Sequence, residues 1–153
     1  MRGPSSWSVG ERELMAAFMA KTNQCEFCIK AHTAVAERAP PDGEKLSTVL
    51  DRPEAATLKE ALRATLLMLR KLTQEHTLTA EDIRAVLAAG ATRQQIEDAL
   101  AVCFSFNVIG RLADAFGFSV PGPEAFASGA KYLLARGYRW QRSDRSRSCR
   151  VEV

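Results

Sequence analysis

Helix-start signals recur along this chain, each followed by apolar residues at helical spacing. Ser8 with Glu11, Asn23 with Glu26, Thr79 with Asp82 and Thr92 with Gln95 all have the form of a capping box. In such a box the two side chains satisfy each other's backbone N–H groups, which marks where a helix opens. The spacing predicts helices over 9–21, from Asn23 to about Arg38, over about ten residues between Thr79 and Gly90, and from Thr92 to Gly117. Leu58, Leu62, Leu66, Leu69 and Leu72 share one helical face and predict a long amphipathic helix over 54–75. Ala39-Pro40-Pro41-Asp42-Gly43 must end the second helix, and a short one is expected over 44–50. Pro121–Pro123 is a break before a last helix over 124–136, with Gly137 as its stop signal. Strand-like alternation is missing, and only the valines near the C-terminus hint at a strand. The expected architecture is an all-α bundle of about six helices over 1–137, followed by a mobile basic tail over 138–153.

With 153 residues, 46% of them hydrophobic and 25% charged, the chain has the composition of a globular domain. That excludes collagen, a wholly disordered chain and a disulfide-dense scaffold. Its net charge of +3 is unevenly placed. Arginines 136, 139, 142, 145, 147 and 150 face only Asp144 and Glu152, which leaves the first 135 residues near neutrality. The body therefore carries no electrostatic case for nucleic acid, and the Arg/Ser tail has no aromatic platform beside it. No apolar run approaches the ~18 residues needed to span a bilayer. Leu14–Ala20 follows Glu11, Arg12 and Glu13 and makes a poor export signal. Cysteines at 25, 28, 103 and 149 do not form a secreted framework, so a reducing cytoplasm is expected, where a close pair implies metal or redox chemistry.

Ala99–Ile109 is apolar nearly all round, which predicts a place at the bundle centre or in an oligomer interface. Asn107 within it must find partners, since an unpaired buried amide costs about 1–3 kcal/mol, and the same is expected more strongly of Arg111. Trp7, Tyr138 and Trp140 are read as packing or interface residues. His76 is read as a helix-end residue interacting with the dipole.

Cys25-Glu26-Phe27-Cys28-Ile29-Lys30-Ala31-His32 is the segment that carries chemistry. At about 100° per residue, positions 25, 28 and 32 fall within about 60° of one another. Both thiols and the imidazole therefore share a helix face. With Asn23 as N-cap, unpaired N–H groups would stabilise a thiolate there, and His32 stands one turn on to relay a proton. These are the parts of a dithiol redox centre. Two other readings stand beside it. Two thiolates and an imidazole can be three of the four ligands of zinc, although Cys103, His76 and Cys149 are isolated. Buried cysteines can also be inert packing.

Glu13 lies twelve residues before Cys25 and completes the pattern Glu-x11-Cys-x-x-Cys-x-x-x-His. This resembles the alkylhydroperoxidase D-like branch of the carboxymuconolactone decarboxylase family, especially its single-domain peroxidase-related members. The resemblance spans about 9–118 and includes Arg12-Glu13-Leu14, Leu69-Arg70-Lys71-Leu72-Thr73, Gly90, Ile96, Phe106-Asn107 and Arg111-Leu112-Ala113-Asp114. True carboxymuconolactone decarboxylases lack the paired cysteines. The resemblance implies a thiol peroxidase that reduces organic hydroperoxides, without a cofactor or metal. It makes Cys28 the attacking thiol, Cys25 its disulfide partner, and His32 with Glu13 a proton relay. Read alone, Glu13 would be a first-turn acid favoured by the helix dipole. The implied partners are a dithiol reductant or reductase protein and further copies of the chain, as a trimer or hexamer, with no membrane or nucleic-acid partner. A redox sensor or scaffold using the same dithiol with little turnover, or a decarboxylase-like enzyme on another substrate, are the alternatives. Phe27 stands where the best-known members carry a second His, and Gly110 where a second Asn is expected. The chain begins twelve residues before Glu13, so the earlier helices of the family are expected to be absent or cut away.

Overall fold

The computed structural model describes residues 1–40 and 46–138. Seven helices lie in that span: α1 (Val9–Thr22), α2 (Glu26–Ala36), α3 (Leu46–Asp51), α4 (Glu60–Glu75), α5 (Ala80–Ala88), α6 (Arg93–Ala115) and α7 (Pro123–Arg136). No strand occurs among the described residues, and the all-α reading holds. From Arg139 onward, Trp140 and Cys149 included, the tail lies outside the described residues, as does the start of the helix expected over 44–50. Among the described residues no helix is long and apolar enough to cross a membrane.

The centre of the bundle is α1, which packs on α2, α3, α4 and α6. Every residue from Gly10 to Ala20 is buried. Four of them are Gly10, Ala16, Ala17 and Ala20, small enough to let neighbouring helices approach closely. Trp7 closes one end, 3% exposed, with its indole N–H donated to the Gln95 carbonyl at 2.8 Å.

Of the two places the sequence allows for Ala99–Ile109, the bundle centre or an oligomer interface, the structure rules out the first. Helix α6 buries only one face, through Ile96, Ala99, Val102, Cys103, Phe106, Gly110 and Ala113. Its other face leaves Phe104, Val108, Ile109, Leu112 and Phe116 exposed. Arg111 is also exposed and needs no buried partner. Asn107 does find its partners. Its amide N–H groups donate to Thr73 Oγ1 and the Cys103 carbonyl, and its oxygen accepts from Asn23 Nδ2 at 3.1 Å.

Three of the four capping boxes form with both hydrogen bonds, at Ser8, Thr79 and Thr92. The fourth does not. Asn23 is the C-cap of α1, Gln24 takes the left-handed conformation at φ 60°, and Cys25 is the N-cap of α2. The Gln24 N–H donates to the Lys21 carbonyl and the Cys25 N–H to the Ala20 carbonyl, each at 3.0 Å. This is a Schellman closure, which satisfies orphan carbonyls at the end of α1. It leaves only Asn23, Gln24 and Cys25 between the two helices.

The helix expected over 54–75 begins only at Glu60. Residues 53–58 instead form isolated turns, with Ala55 N–H on the Arg52 carbonyl and Ala56 N–H on the Pro53 carbonyl. Pro53 and Leu58 are buried, and Glu54 is ion-paired with Arg70. Leu58 thus reaches the core from a turn, and its helical phase with Leu62 is coincidental. His76 caps α4 in the left-handed conformation, φ 60°, and its N–H donates to the Leu72 carbonyl. His76 thus stands at the helix end, where the sequence reading puts it.

Candidate functional site

Cys28 and His32 are one turn apart on α2, and both are buried. Cys25, the N-cap residue, is fully buried with Cys28 in a small apolar cluster that also holds Ala20 and Ala113, with Phe27 and Ile29 packed on it. This cluster is separate from the main core. Cys25, Cys28 and Cys103 are free thiols. Phe27 meets Phe118 and Phe126 edge-on, at ring centroid distances of 5.4 and 5.7 Å, and so seals the cluster on the α7 side. Gly110 of α6 lies against Cys25: a Cβ there would stand 3.6 Å from the Cys25 Cβ.

Glu13 comes from the middle of α1 and is fully buried. The nearness that spacing could not supply is present. Glu13 Oε2 lies 2.7 Å from His32 Nδ1. Its other oxygen accepts from Arg2 Nη1 at 2.7 Å, and the Tyr138 hydroxyl donates across both oxygens at 3.1 and 3.3 Å. Burial opposes the charge of Glu13, but hydrogen bonding and charge from His32 and Arg2 outweigh it, so its carboxyl sits below the ordinary range. An ionised carboxylate only accepts, so His32 Nδ1 carries the hydrogen of this contact. Phe106 of α6 meets the imidazole edge-on at 4.4 Å and holds the ring plane.

The expectation of a helix-stabilised thiolate is not met. Burial, the neighbouring Cys25 and the charge of Asp114 push the Cys28 thiol up to about 12. Cys28 is at the third position of α2 and has the N–H groups nearby, but loss of water dominates. At neutral pH this sulfur is a protonated thiol. Folding stability should therefore fall as pH rises from the ordinary thiol value near ~8.5 towards about 12, because only the unfolded chain ionises there. Urea midpoints measured across that window should fall more steeply in the native chain than in Cys28→Ala. Equal slopes would contradict the assignment.

Arg2 and Tyr138 have no signal in the sequence that marks them for the site. Arg2 stands 11 residues before Glu13 and Tyr138 stands 125 after it. Their placement depends on how the two ends of the described chain return to α1. Among the described residues no group of three or more His, Cys, Asp or Glu side chains is arranged to hold a metal ion.

Among the described residues, seven helices that set a Cys-x-x-Cys-x-x-x-His segment on a buried Glu make an alkylhydroperoxidase D-like fold. The comparisons with known proteins agree. The model of the carboxymuconolactone decarboxylase family matches residues 1–71, the stretch that holds Glu13, Cys25, Cys28 and His32. The crystal structure titled alkylhydroperoxidase AhpD core, an uncharacterized peroxidase-related protein from Ralstonia eutropha JMP134, is 26% identical with a TM-score of 0.72. That match covers 85% of this chain and 68% of that one. An uncharacterized peroxidase-related protein from Silicibacter sp. TM1040 is 24% identical with a TM-score of 0.73, over 83% of this chain and 66% of that one. The chain thus spans about two thirds of the length of these structures. No curated protein matches it. The chain is thus similar to the carboxymuconolactone decarboxylase family over residues 1–71, and to an alkylhydroperoxidase AhpD core structure over most of its length.

Proposed function

We propose that this chain is a thiol-dependent peroxidase that reduces organic hydroperoxides with Cys25 and Cys28. The carrying observation is the 2.7 Å contact of Glu13 with His32 Nδ1, on the helix that bears both buried thiols. Two thiols alone would serve packing or a metal equally well. A buried, charged carboxylate that fixes the tautomer of an adjacent imidazole is costly to keep unless the imidazole moves a proton.

Cys28 is held protonated by its surroundings, so its proton must leave as it attacks. His32 Nε2 takes that proton, and Glu13 stabilises the imidazolium that forms. Cys28 sulfur attacks the outer peroxide oxygen, the O–O bond breaks, and the alkoxide leaves with the proton from His32. The products are a Cys28 sulfenic acid and an alcohol. Cys25 sulfur then displaces water from the sulfenic acid, giving the Cys25–Cys28 disulfide. An external dithiol, small or carried by a reductase protein, reduces that disulfide by exchange and is itself oxidised. A reducing cytoplasm is the setting in which such a reductant is available.

A steady-state assay with cumene hydroperoxide and excess dithiothreitol tests this reading. Catalytic formation of the alcohol supports it. Stoichiometric oxidation of two thiols without turnover would make the dithiol a redox switch instead.

We further propose that the chain works as a homo-oligomer, a trimer or hexamer, built through the exposed face of α6. Phe104, Val108 and Leu112 recur every four residues along that face, and the C-cap residue Phe116 follows them. An apolar stripe of this kind marks an interaction surface. Light scattering should give the native chain a multiple of its 16.8 kDa mass. Leu112→Glu should shift it to the monomer, and a monomeric native chain would contradict the proposal.

A further inference from the structure

Two side chains outside the family motif make three hydrogen bonds to its carboxylate. Arg2 donates from Nη1 to Glu13 Oε1 at 2.7 Å and from Nη2 to the Leu133 carbonyl in the last turn of α7 at 3.4 Å. Tyr138 donates its hydroxyl to Glu13, and Arg2 lies over the Tyr138 ring at 5.3 Å from its centroid. The hydroxyl oxygen is also 3.5 Å from His32 Nδ1, and the phenol and imidazole planes are 16° apart. Arg2, Tyr138 and His32 thus surround Glu13.

The backbone is shaped to bring them there. Gly137 ends α7 at φ 67°, a left-handed value that turns the chain back so that Tyr138 returns to Glu13. Gly137 also gives Arg2 room: a Cβ at this position would come within 3.1 Å of Arg2 Cγ. One glycine therefore seats both residues.

We propose that Arg2 and Tyr138 are positioning residues that hold the Glu13 carboxylate charged and oriented, so that His32 keeps its hydrogen on Nδ1 and offers Nε2 to the dithiol. The proposal deepens the peroxidase reading and rests on it for the use made of Nε2. The clamp itself stands on the contacts above. A carboxylate shared by His32 alone would have one good donor in a site cut off from water, and would tend to take up a proton. Protonated, it could donate to Nδ1 and move the imidazole hydrogen to Nε2, which removes the base. Arg2 prevents this with a permanent charge, and Tyr138 with a donor that keeps its own proton, since burial and Glu13 push its phenol up. The other charged or titratable groups around the pair are the Met1 amine and Arg12, which face Glu13, and Cys25 and Asp114, which face Cys28.

The test is a carboxyl 13C NMR titration of Glu13 in the full reduced chain, run for the native protein, Arg2→Gln, Arg2→Lys and Tyr138→Phe. The Glu13 titration should move to higher pH in Arg2→Gln and less far in Tyr138→Phe. Arg2→Lys, which keeps the charge, should restore most of it. Circular dichroism on the same samples shows whether each variant is folded. A folded Arg2→Gln with the native Glu13 titration would overturn the proposal, as would a Tyr138→Phe with no shift. Because the readout is a carboxylate and not turnover, the clamp can fail while peroxide reduction stands. It can also hold in a chain that reduces no peroxide.

Discussion

Cys28→Ser and Cys28→Ala should bring hydroperoxide reduction down to the rate of buffer and reductant alone, and Cys25→Ser should fail differently. Without Cys25 the first half-reaction survives: one equivalent of alcohol forms, and the Cys28 sulfenic acid persists long enough for a cyclic 1,3-dione to trap it. Cys25→Ser sets a hydroxyl in the apolar cluster, but at a position where a hydroxyl can find a partner. Cys25 is the N-cap of α2 and makes no side-chain cap hydrogen bond. Serine is among the preferred residues there, and its hydroxyl can accept a backbone N–H, worth about 1 kcal/mol. Circular dichroism on Cys25→Ser separates loss of turnover from loss of fold. Cys28→Ser places a hydroxyl in an apolar cluster and can cost about 1–3 kcal/mol, which is why Cys28→Ala accompanies it. Turnover retained in either Cys28 variant, or a full native rate in Cys25→Ser, would remove the assigned division of labour.

Glu13→Gln should lower turnover by about 10²–10⁴, the range expected when a positioned proton-transfer group is lost. The reason lies in acceptor count. The carboxylate gives one oxygen to Arg2 and one to His32. An amide has only one oxygen, and the permanent guanidinium charge of Arg2 claims it. The amide nitrogen then faces His32 Nδ1, which must become the acceptor, and the imidazole hydrogen moves to Nε2. The base is lost while the volume of the side chain is kept. A second signature is available in stability. The lowered carboxyl of Glu13 contributes stability that is present above the ordinary glutamate value near ~4.3 and is lost as pH falls through its folded value. Glu13→Gln should lack that acid limb in urea unfolding. Turnover within about twofold of the native rate would contradict the relay.

Much of this architecture is legible in the residues. Ser8, Thr79 and Thr92 each open a helix as their capping boxes predict, and the break read at Pro121–Pro123 falls where α7 opens, with Pro123 its first residue. The failures have identifiable competitors. Asn23 with Glu26 has the right letters for a cap, but α1 ends there too. The end of α1 took the backbone of Gln24 and Cys25, and the Asn23 side chain went to Asn107. Hydrophobicity marks Ala99–Ile109 of α6 for the centre or an interface, while α1 reads as mixed, with Glu11, Arg12 and Glu13 on it. Burial follows neighbours rather than apolar content. Each of those charges has a partner: Glu11 on the Ser8 N–H, Arg12 on the Gly3 carbonyl, Glu13 in the site.

In the site itself the helix face of Cys25, Cys28 and His32 follows from spacing within α2, which is local. Glu13 entered only by family resemblance, since α1 and α2 must pack before its carboxylate meets the imidazole. Arg2 and Tyr138 were invisible for the same reason at greater separation. The thiolate expectation failed because dipole and burial act in opposite directions on Cys28, and sequence shows the first but not the second.

The central claim is that Cys25 and Cys28 together take two electrons from a hydroperoxide. A single-turnover experiment addresses it directly: one equivalent of cumene hydroperoxide is added to the reduced chain without reductant, and the alcohol and the cysteine-bearing peptides are quantified. One alcohol per chain with a Cys25–Cys28 disulfide, and Cys103 still a thiol, is the predicted result. Alcohol without that disulfide, or the disulfide without stoichiometric alcohol, would contradict it.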